Sequence, residues 1–208
     1  VVTAMLYERY KAGKYPLALV SMDNCSKNGE KLREAVLTMT EAWRKAGFVE
    51  EGFAAYVSDE KTVAFPWTMI DKITPRPSEQ IAEDLEKLGV EDMKPVITGK
   101  KTYIAPFVNA EKPQYLVIED SFPNGRPALE KGVGVYMADR ETVNLSERMK
   151  VTVCLNPVHS ATGPLGVVQG YDLFAHMLNT NPDMMKMARM VVYDEGLPVV
   201  PNPGILSP

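Results

Sequence analysis

The stretch LALVSMDNCSKNGEKLREAVLTMTEAWRKAG, residues 17–47, contains one complete strand-loop-helix unit. Residues 17–20 form a short apolar run bounded by a proline and a polar cluster, which is typical of a buried strand. Residues 30–46 place four apolar side chains at helical spacing between charged ones, at Leu32, Val36, Met39 and Trp43. Gly47 then ends the helix. A buried strand that leads into an amphipathic helix predicts an α/β fold.

Outward from this unit, strands and helices alternate up to residue 138, and helical spacing takes over beyond it. Before that point the patterns predict helices at 3–12 and 78–88, with Ser78 as an N-cap, strands at 53–57, 62–65, 115–118 and 133–137, and an irregular excursion or hairpin at 95–113. After it they predict helices at 141–155, 167–178 and 181–190, with interruptions at Pro157 and Pro164. We therefore expect two parts, an α/β part at 1–138 and a helical part at 139–208.

Composition excludes several classes of protein. The 208 residues are 45% hydrophobic, but no apolar run is long enough for a membrane helix. The formal charge of −4 offers no basic field for a nucleic acid, and two distant cysteines make no disulfide framework. A reducing cytoplasm is the expected compartment. Because the chain starts without Met inside a helical pattern and stops after an unfinished loop, we expect a fragment.

One run of sequence, residues 150–160, places an amine, a carboxamide and an imidazole close together. In a straight α-helix Asn156 and His159 point about 60° apart, and Lys150 points about 120° or more away from both. We expect Pro157 to end or kink the helix and fold this pair back toward the lysine. A poorly hydrated lysine can act as a general base and the other two can donate to a substrate oxygen, a set that suits alcohol oxidation. Spacing alone leaves open a surface Lys, a helix-ending Asn and an internally bonded His.

Three more polar groups follow predicted strands. Asn24 lies in the loop after residue 20 and can donate to a substrate oxygen, with Asn28 and its glycine as the tight turn. The loop also fits a plain strand-to-helix connection with Asx capping. Asp71 can orient a donor or close a water path, or can be a solvated turn residue. The pair Glu119 and Asp120 fits polar anchors and exposed hairpin charges equally well.

The familiar cofactor and metal motifs are absent from the sequence. Gly132 and Gly134 match the first two glycines of a dinucleotide fingerprint, but Met137 takes the third place and no helix start follows. There is no HExxH, GxSxG or Walker motif and no His/Asp/Glu set at metal spacing. Cys154, in an apolar segment, is expected to be a small core residue.

Four motifs in order resemble those of the mannitol dehydrogenase family of long-chain, zinc-independent polyol and hexuronate dehydrogenases. They span most of the chain and are SMDN with NG at 21–29, FP with MIDKITP at 65–75, VIED with FPNGRP at 117–127, and Lys, Asn and His-Ser at 150–160. The resemblance implies that residues 1–138 are the later part of a Rossmann-like nucleotide-binding domain and 139–208 the start of a helical substrate domain. The implied activity is NAD(P)-linked interconversion of a secondary alcohol and a ketone, without a metal.

The resemblance also implies roles for individual residues. Lys150 matches the general acid/base, and Asn24 and Asn156 match the two amides that hold the substrate oxygen. His159 matches a residue that orients the substrate. Two matches are weaker and rest on motif position alone. Glu147 matches a carboxylate that relays the proton to solvent, and Asp71 matches a polar neighbour of the base.

Within the family, residues 156–159 and the segment 194–205 resemble the branch of D-mannonate oxidoreductases, also called fructuronate reductases. The excursion at 89–113 is longer than expected in the mannitol branch. A sugar acid is therefore the first expected substrate, with mannitol 2-dehydrogenase or another polyol dehydrogenase as the alternative. An alternative of another class is a non-catalytic binding or interaction fragment. Because the phosphate loop is expected ahead of residue 1, NAD against NADP stays open, as does the oligomeric state, and the 208 residues alone are expected to be inactive.

Overall fold

The computed structural model of the chain describes residues 1–72, 74–110 and 115–206. These residues divide into two compact units, one formed by Val1–Ile70 together with Tyr115–Pro208 and the other by Asp71–Gln114. Each unit is described by itself below. Within the described ranges, no helix combines the length and the apolar character needed to cross a membrane.

The first unit begins with an α/β layer built from the strand-loop-helix stretch. Helix α1 (Val2–Lys11) precedes strand β1 (Leu17–Ala18), which leads into α2 (Asn28–Lys45). Strand β2 (Val63–Ala64) pairs with β1 in parallel, with Leu17 opposite Val63. The predicted strand and helix of residues 17–46 are confirmed, because a short apolar run and a 3.6-residue period are both local signals.

The predicted strand at 53–57 is wrong. Residues Glu51–Ser58 form helix α3, which packs between α1 and α2. Phe53, Tyr56 and Val57 are its buried residues, and their spacing of three and four residues is that of one helical face. A five-residue apolar run fits a buried strand and a buried helix turn equally well, so the sequence pattern alone did not separate them. Aromatic rings of α1 and α3 share this core, with Tyr7 edge-on to Phe53 at 5.0 Å.

A second sheet joins strands from distant parts of the chain. Its order is β3 (Thr68–Met69), then β6 (Leu116–Glu119), then β7 (Val135–Ala138). Strand β6 is antiparallel to β3 and parallel to β7. Helix α5 (Arg140–Glu147) follows and buries Val143 against this sheet. The strands predicted at 115–118 and 133–137 are confirmed, with small shifts at their ends.

The described residues of the second unit form one helix and one hairpin. Helix α4 (Glu79–Lys87) matches the predicted helix, and strands β4 (Val96–Ile97) and β5 (Tyr103–Ile104) pair antiparallel, as the predicted excursion or hairpin allows. Ser78 occupies the N-cap position, but its side chain makes no cap hydrogen bond. Its backbone N–H instead donates to the Asn109 side chain at 3.1 Å.

From α5 onward the described part of the first unit is mostly helical, as predicted, and two of its segments have π winding. The predicted helix at 167–178 is wrong, because residues 169–173 between α6 and α7 are not helical. A π-helix, π1 (Arg148–Leu155), continues α5 and leads into α6 (Asn156–Val168). Then come α7 (Phe174–Thr180), α8 (Pro182–Arg189) and a second π-helix, π2 (Met190–Gly196), which a short 3-10 turn follows. Helix α8 starts as predicted, with Asn181 as N-cap accepting from the amides of residues 183 and 184.

The predicted interruptions at Pro157 and Pro164 are wrong. Pro157 lies in the first turn of α6, where its missing N–H costs little, and α6 runs on through Pro164. Helix α6 keeps its packing on both sides of the second proline, because Thr162 and Gly166 are buried. A single lost hydrogen bond does not end a helix that tertiary contacts hold. The chain is therefore helical without a break from Arg140 to Val168.

Candidate active site

The Asn24 loop, residues 21–27, connects β1 to α2 and presents Asn24 to solvent. Asp23 shapes the loop, because its Oδ1 accepts a hydrogen bond from the Cys25 N–H at 2.9 Å. This bond favours the charged carboxylate and lowers the pKa of Asp23. The left-handed residue of the loop is Lys27, with φ at 54°, and Asn28 is already the first residue of α2. The predicted Asn28–Gly29 turn is therefore wrong, and Asn28 is instead a buried anchor.

Lys150 lies in π1 and is half-buried. Its Nζ lies 5.3 Å from the centroid of the Tyr115 ring, just ahead of strand β6. An ammonium over an aromatic face is attracted by the ring quadrupole, by about 0.5–2 kcal/mol. The contact joins the second sheet to the helix that carries the predicted base.

The π winding changes the directions of the three predicted residues on this helix. The Asn156 N–H donates to the Val151 carbonyl, five residues back, as a π-helix requires. A π-helix turns by roughly 80° per residue, against roughly 100° in an α-helix. Over the nine residues from Lys150 to His159 the offset therefore falls from about 180° to about 60–70°. Asn156 stays about 120° from Lys150 and about 60° from His159, so all three share one arc of the helix.

Pro157 was expected to bring these residues together by ending the helix. The helix instead continues, and its π winding turns their directions into one arc. One extra residue is taken up within an unbroken helix, and the rotation it causes places His159 between the directions of Lys150 and Asn156. Short π-helical segments within α-helices are frequently found at functional sites.

His159 is exposed, and two contacts fix its ring. Its Nδ1 lies 3.0 Å from the Leu155 carbonyl oxygen, and the ring stacks on Phe174 of α7 at 4.5 Å with an angle of 18° between the planes. A carbonyl oxygen only accepts hydrogen bonds, so Nδ1 carries the proton of this bond. In the neutral tautomer with this proton, Nε2 is an acceptor for a hydroxyl group of a ligand, and not the donor to a substrate oxygen that the sequence predicted.

The two remaining candidate residues are Glu147 and Asp71. Glu147 ends α5, three residues before Lys150, and its Oε1 accepts from the Thr152 hydroxyl at 3.3 Å. Asp71 is half-buried and is the first residue of the second unit. The proton relay through Glu147 and the role of Asp71 beside the base both stay predictions.

Glu119 and Asp120, which the sequence left open, behave differently from each other. Glu119 is only 7% exposed, and its carboxylate accepts from the Trp67 N–H at 2.9 Å and from Arg140 Nε at 3.0 Å. It is a buried anchor that ties β6 to β3 and to the start of α5. Asp120 binds Arg126 through both oxygens, at 2.6 and 2.8 Å, and this guanidinium lowers the pKa of Asp120.

Sequence reasoning missed Tyr115 as the partner of Lys150 and Phe174 as the partner of His159. It also missed Thr68, whose hydroxyl accepts from Asn28 Nδ2 at 2.8 Å. Tyr115 and Phe174 are 35 and 15 residues from their partners, and both look like ordinary apolar positions. Cys154, expected in the core, is exposed. Within residues 1–72, 74–110 and 115–206, no three His, Cys, Asp or Glu side chains lie together as a metal site requires.

Comparison with known proteins gives one consistent family. Residues 1–131 match the family described as "Mannitol dehydrogenase Rossmann domain". A D-mannonate oxidoreductase of Thermotoga maritima is 55% identical over the whole chain, which covers 38% of that protein. A mannitol 2-dehydrogenase of Aspergillus fumigatus is 35% identical over 97% of the chain, which covers 36% of that protein.

Two solved structures are also similar. The substrate-free form of a D-sorbitol dehydrogenase is 26% identical, with a TM-score of 0.74 over 99% of this chain and 38% of that one. A Pseudomonas fluorescens mannitol 2-dehydrogenase in a ternary complex with NAD and D-mannitol is 30% identical, with a TM-score of 0.66 over 99% of this chain and 37% of that one. The chain thus spans under two-fifths of each relative, and its fold class is α/β with a Rossmann domain. Its sequence, its fold and its ordered motifs agree: the chain belongs to the mannitol dehydrogenase family.

Proposed function

We propose that the full-length protein interconverts D-mannonate and D-fructuronate by hydride transfer with NAD(P). The observation that carries this proposal is the 55% identity over the entire chain to a protein named D-mannonate oxidoreductase, against 35% to a mannitol 2-dehydrogenase. The Asn24 loop and the Lys150 helix both lie in the part of the chain covered by that identity. A mannitol or other polyol dehydrogenase is the second candidate, favoured by the 35% identity and by the mannitol-bound relative.

The roles that we propose for residues of this chain act on the secondary alcohol of the substrate. Lys150, in its neutral form, takes the proton of the secondary hydroxyl. A bound nicotinamide cofactor would supply the hydride acceptor that the same carbon needs for its C–O bond to become a carbonyl. The amide N–H groups of Asn24 and Asn156 donate to the oxygen that carries the developing negative charge. Nε2 of His159 accepts from a neighbouring substrate hydroxyl. Glu147 passes the proton from Lys150 to solvent, and Asp71 acts as the polar neighbour of the base.

The cofactor contacts are not assigned to residues of this chain. Gly132 and Gly134 precede strand β7 rather than a helix, so this glycine pair does not fit a dinucleotide diphosphate. NAD is the first proposed cofactor, by analogy with the NAD-bound relative, and NADP is the alternative. We further propose residues 1–138 as the later part of the nucleotide-binding domain and 139–208 as the start of the helical substrate domain, in a cytoplasmic, zinc-independent enzyme.

The test uses the full-length protein and two ketone substrates. NADH oxidation is followed with D-fructuronate and, separately, with D-fructose, and the same pair is repeated with NADPH. We expect D-fructuronate to give the higher kcat/KM, by about 10-fold or more, because a site built for one polar group discriminates strongly against a substrate that lacks it. A higher kcat/KM for D-fructose identifies the polyol branch, and turnover of neither ketone contradicts the proposal.

A further inference from the structure

Asn28 is buried at the start of α2, with only 2% of its surface exposed, and its carboxamide reaches across to strand β3. The Nδ2 group donates to the Asp23 carbonyl at 2.7 Å, to the Thr68 hydroxyl at 2.8 Å and to the Thr68 carbonyl at 3.0 Å, with a longer contact of 3.4 Å to the Ser21 carbonyl. The Oδ1 atom accepts from the N–H groups of Gly29 at 2.8 Å and Thr68 at 3.0 Å. One side chain therefore joins the Asn24 loop to a strand 40 residues away.

The side-chain polar groups of Asn28 and Thr68 all have hydrogen-bond partners. The Thr68 hydroxyl accepts from Asn28 and donates in turn to the Ser21 carbonyl at 2.7 Å. Both N–H groups and the oxygen of the carboxamide are thus used, as is the hydroxyl. Removing one member leaves buried polar groups without partners, which costs more than the bond itself contributes.

The hydrogen-bonded groups lie on both sides of Asn24 in the loop. Ser21 and Asp23 precede Asn24, and Asn28 follows it, so the network closes residues 21–28 into a loop tied at both ends. Gly29 allows helix α2 to begin close to residues 65–66, since a Cβ at this position would overlap the Phe65 carbonyl oxygen. Helix α2 therefore starts directly against the segment that leads into β3.

We propose that Asn28 and Thr68 are a positioning pair for the reaction, holding the Asn24 amide where the substrate oxygen must bind. The proposal rests on the proposed function, in which Asn24 donates to that oxygen. A misplacement of about 1 Å in such a donor can cost about 100-fold in rate. Neither residue of the pair touches the substrate, so both act through Asn24.

The test compares Thr68→Val with Thr68→Ser in the full-length protein. Valine keeps the size of the side chain and removes the hydroxyl, whereas serine keeps the hydroxyl. We expect Thr68→Val to lower kcat by about 10- to 100-fold with little change in the KM for the cofactor, and Thr68→Ser to restore most of the rate. Thr40→Val is the matched control, because Thr40 is equally buried and its hydroxyl donates within α2, to the Val36 carbonyl at 2.8 Å. This control should leave kcat unchanged.

Two further measurements separate positioning from folding and from the proposed function. Hydrogen exchange followed by mass spectrometry should show faster exchange at residues 21–27 in Thr68→Val and not in Thr40→Val. In an Asn24→Ala background, Thr68→Val should lower kcat no further, by less than about 2-fold, because its effect passes through Asn24.

Each outcome is distinct. Unchanged exchange at residues 21–27 in Thr68→Val, or an equal loss of kcat in both backgrounds, overturns the positioning pair while leaving the proposed function in place. Full activity of Asn24→Ala removes the substrate contact from the proposed function, and the pair then has nothing to position in the reaction, even where exchange shows that it holds the loop. A rate loss in Thr40→Val equal to that in Thr68→Val also contradicts the proposal.

Discussion

The loop that carries Asn24 and the helix that carries Lys150 are held in place by different physics. The loop depends on a few buried hydrogen bonds around Asn28, the shortest of them 2.7 and 2.8 Å. The helix depends on its winding, on packing, and on two ring contacts, Lys150 with Tyr115 and His159 with Phe174. The hydrogen bonds that hold the loop are lost when one donor or acceptor atom is removed. The directions of the side chains on the helix change when a residue is inserted or deleted. Substitution therefore tests the first region best, and changes of length test the second.

The largest expected effect comes from the base itself. Lys150→Met keeps a long unbranched side chain and removes the amine, so the substrate hydroxyl loses its proton acceptor. We expect kcat of the full-length enzyme to fall by about 1,000- to 10,000-fold, with the KM for the cofactor nearly unchanged. Lys45→Met, at an exposed position near the end of α2, is the control that should keep full activity. Unchanged turnover in Lys150→Met removes the assigned base and favours the non-catalytic alternative.

The next effect tests the helix register. Removing Thr152, which is exposed within π1, lets that segment return to α winding. Eight α-helical steps then separate Lys150 from His159, an offset of about 80°, close to the present one. Removing Val158 from the α-wound part instead turns His159 by about 100° relative to Asn156. We expect the first deletion to lower kcat by less than about 10-fold and the second by about 100-fold.

Circular dichroism and thermal unfolding of both deletion variants serve as the folding control. The interpretation is contradicted when the two deletions lower kcat equally in folded protein. A larger loss from removal of Thr152 than from removal of Val158 also contradicts it, because it shows that the π winding holds something other than the rotation between Lys150 and His159.

These two regions also show what the sequence can and cannot reveal. The strand at residue 17 and helix α2 were predictable, because their periods are local. The bond from Asn28 to Thr68 was not, since its partner lies 40 residues away and no pattern marks it. The same holds for Tyr115 beside Lys150.

The π winding of residues 148–155 could not be predicted from the sequence either. The apolar spacing there fits an α-helix and a π-helix alike. The proline at 157 predicted a helix end, whereas the structure has π winding in an unbroken helix. The candidate residues themselves, Asn24, Lys150, Asn156 and His159, came from residue types in an ordered set of motifs. Their roles stay predictions. The contacts around them are visible only in the fold, because hydrogen bonds and ring contacts between distant elements leave no periodic trace in the sequence.

The smallest expected effect concerns the ring that supports His159. Phe174→Leu keeps an apolar side chain and removes the flat surface on which the imidazole stacks at 4.5 Å. Such a stack contributes about 0.5–1.5 kcal/mol, so we expect kcat/KM to fall by about 3- to 10-fold, and Phe174→Tyr to restore it. The neighbouring Leu173→Ala, at a position 65% exposed, is the control. In a His159→Ala background Phe174→Leu should change nothing further, since the ring acts through the imidazole. An equal loss in that background shows instead that Phe174 serves helix α7 alone, and that the Leu155 carbonyl suffices to hold His159 with Nε2 toward the substrate.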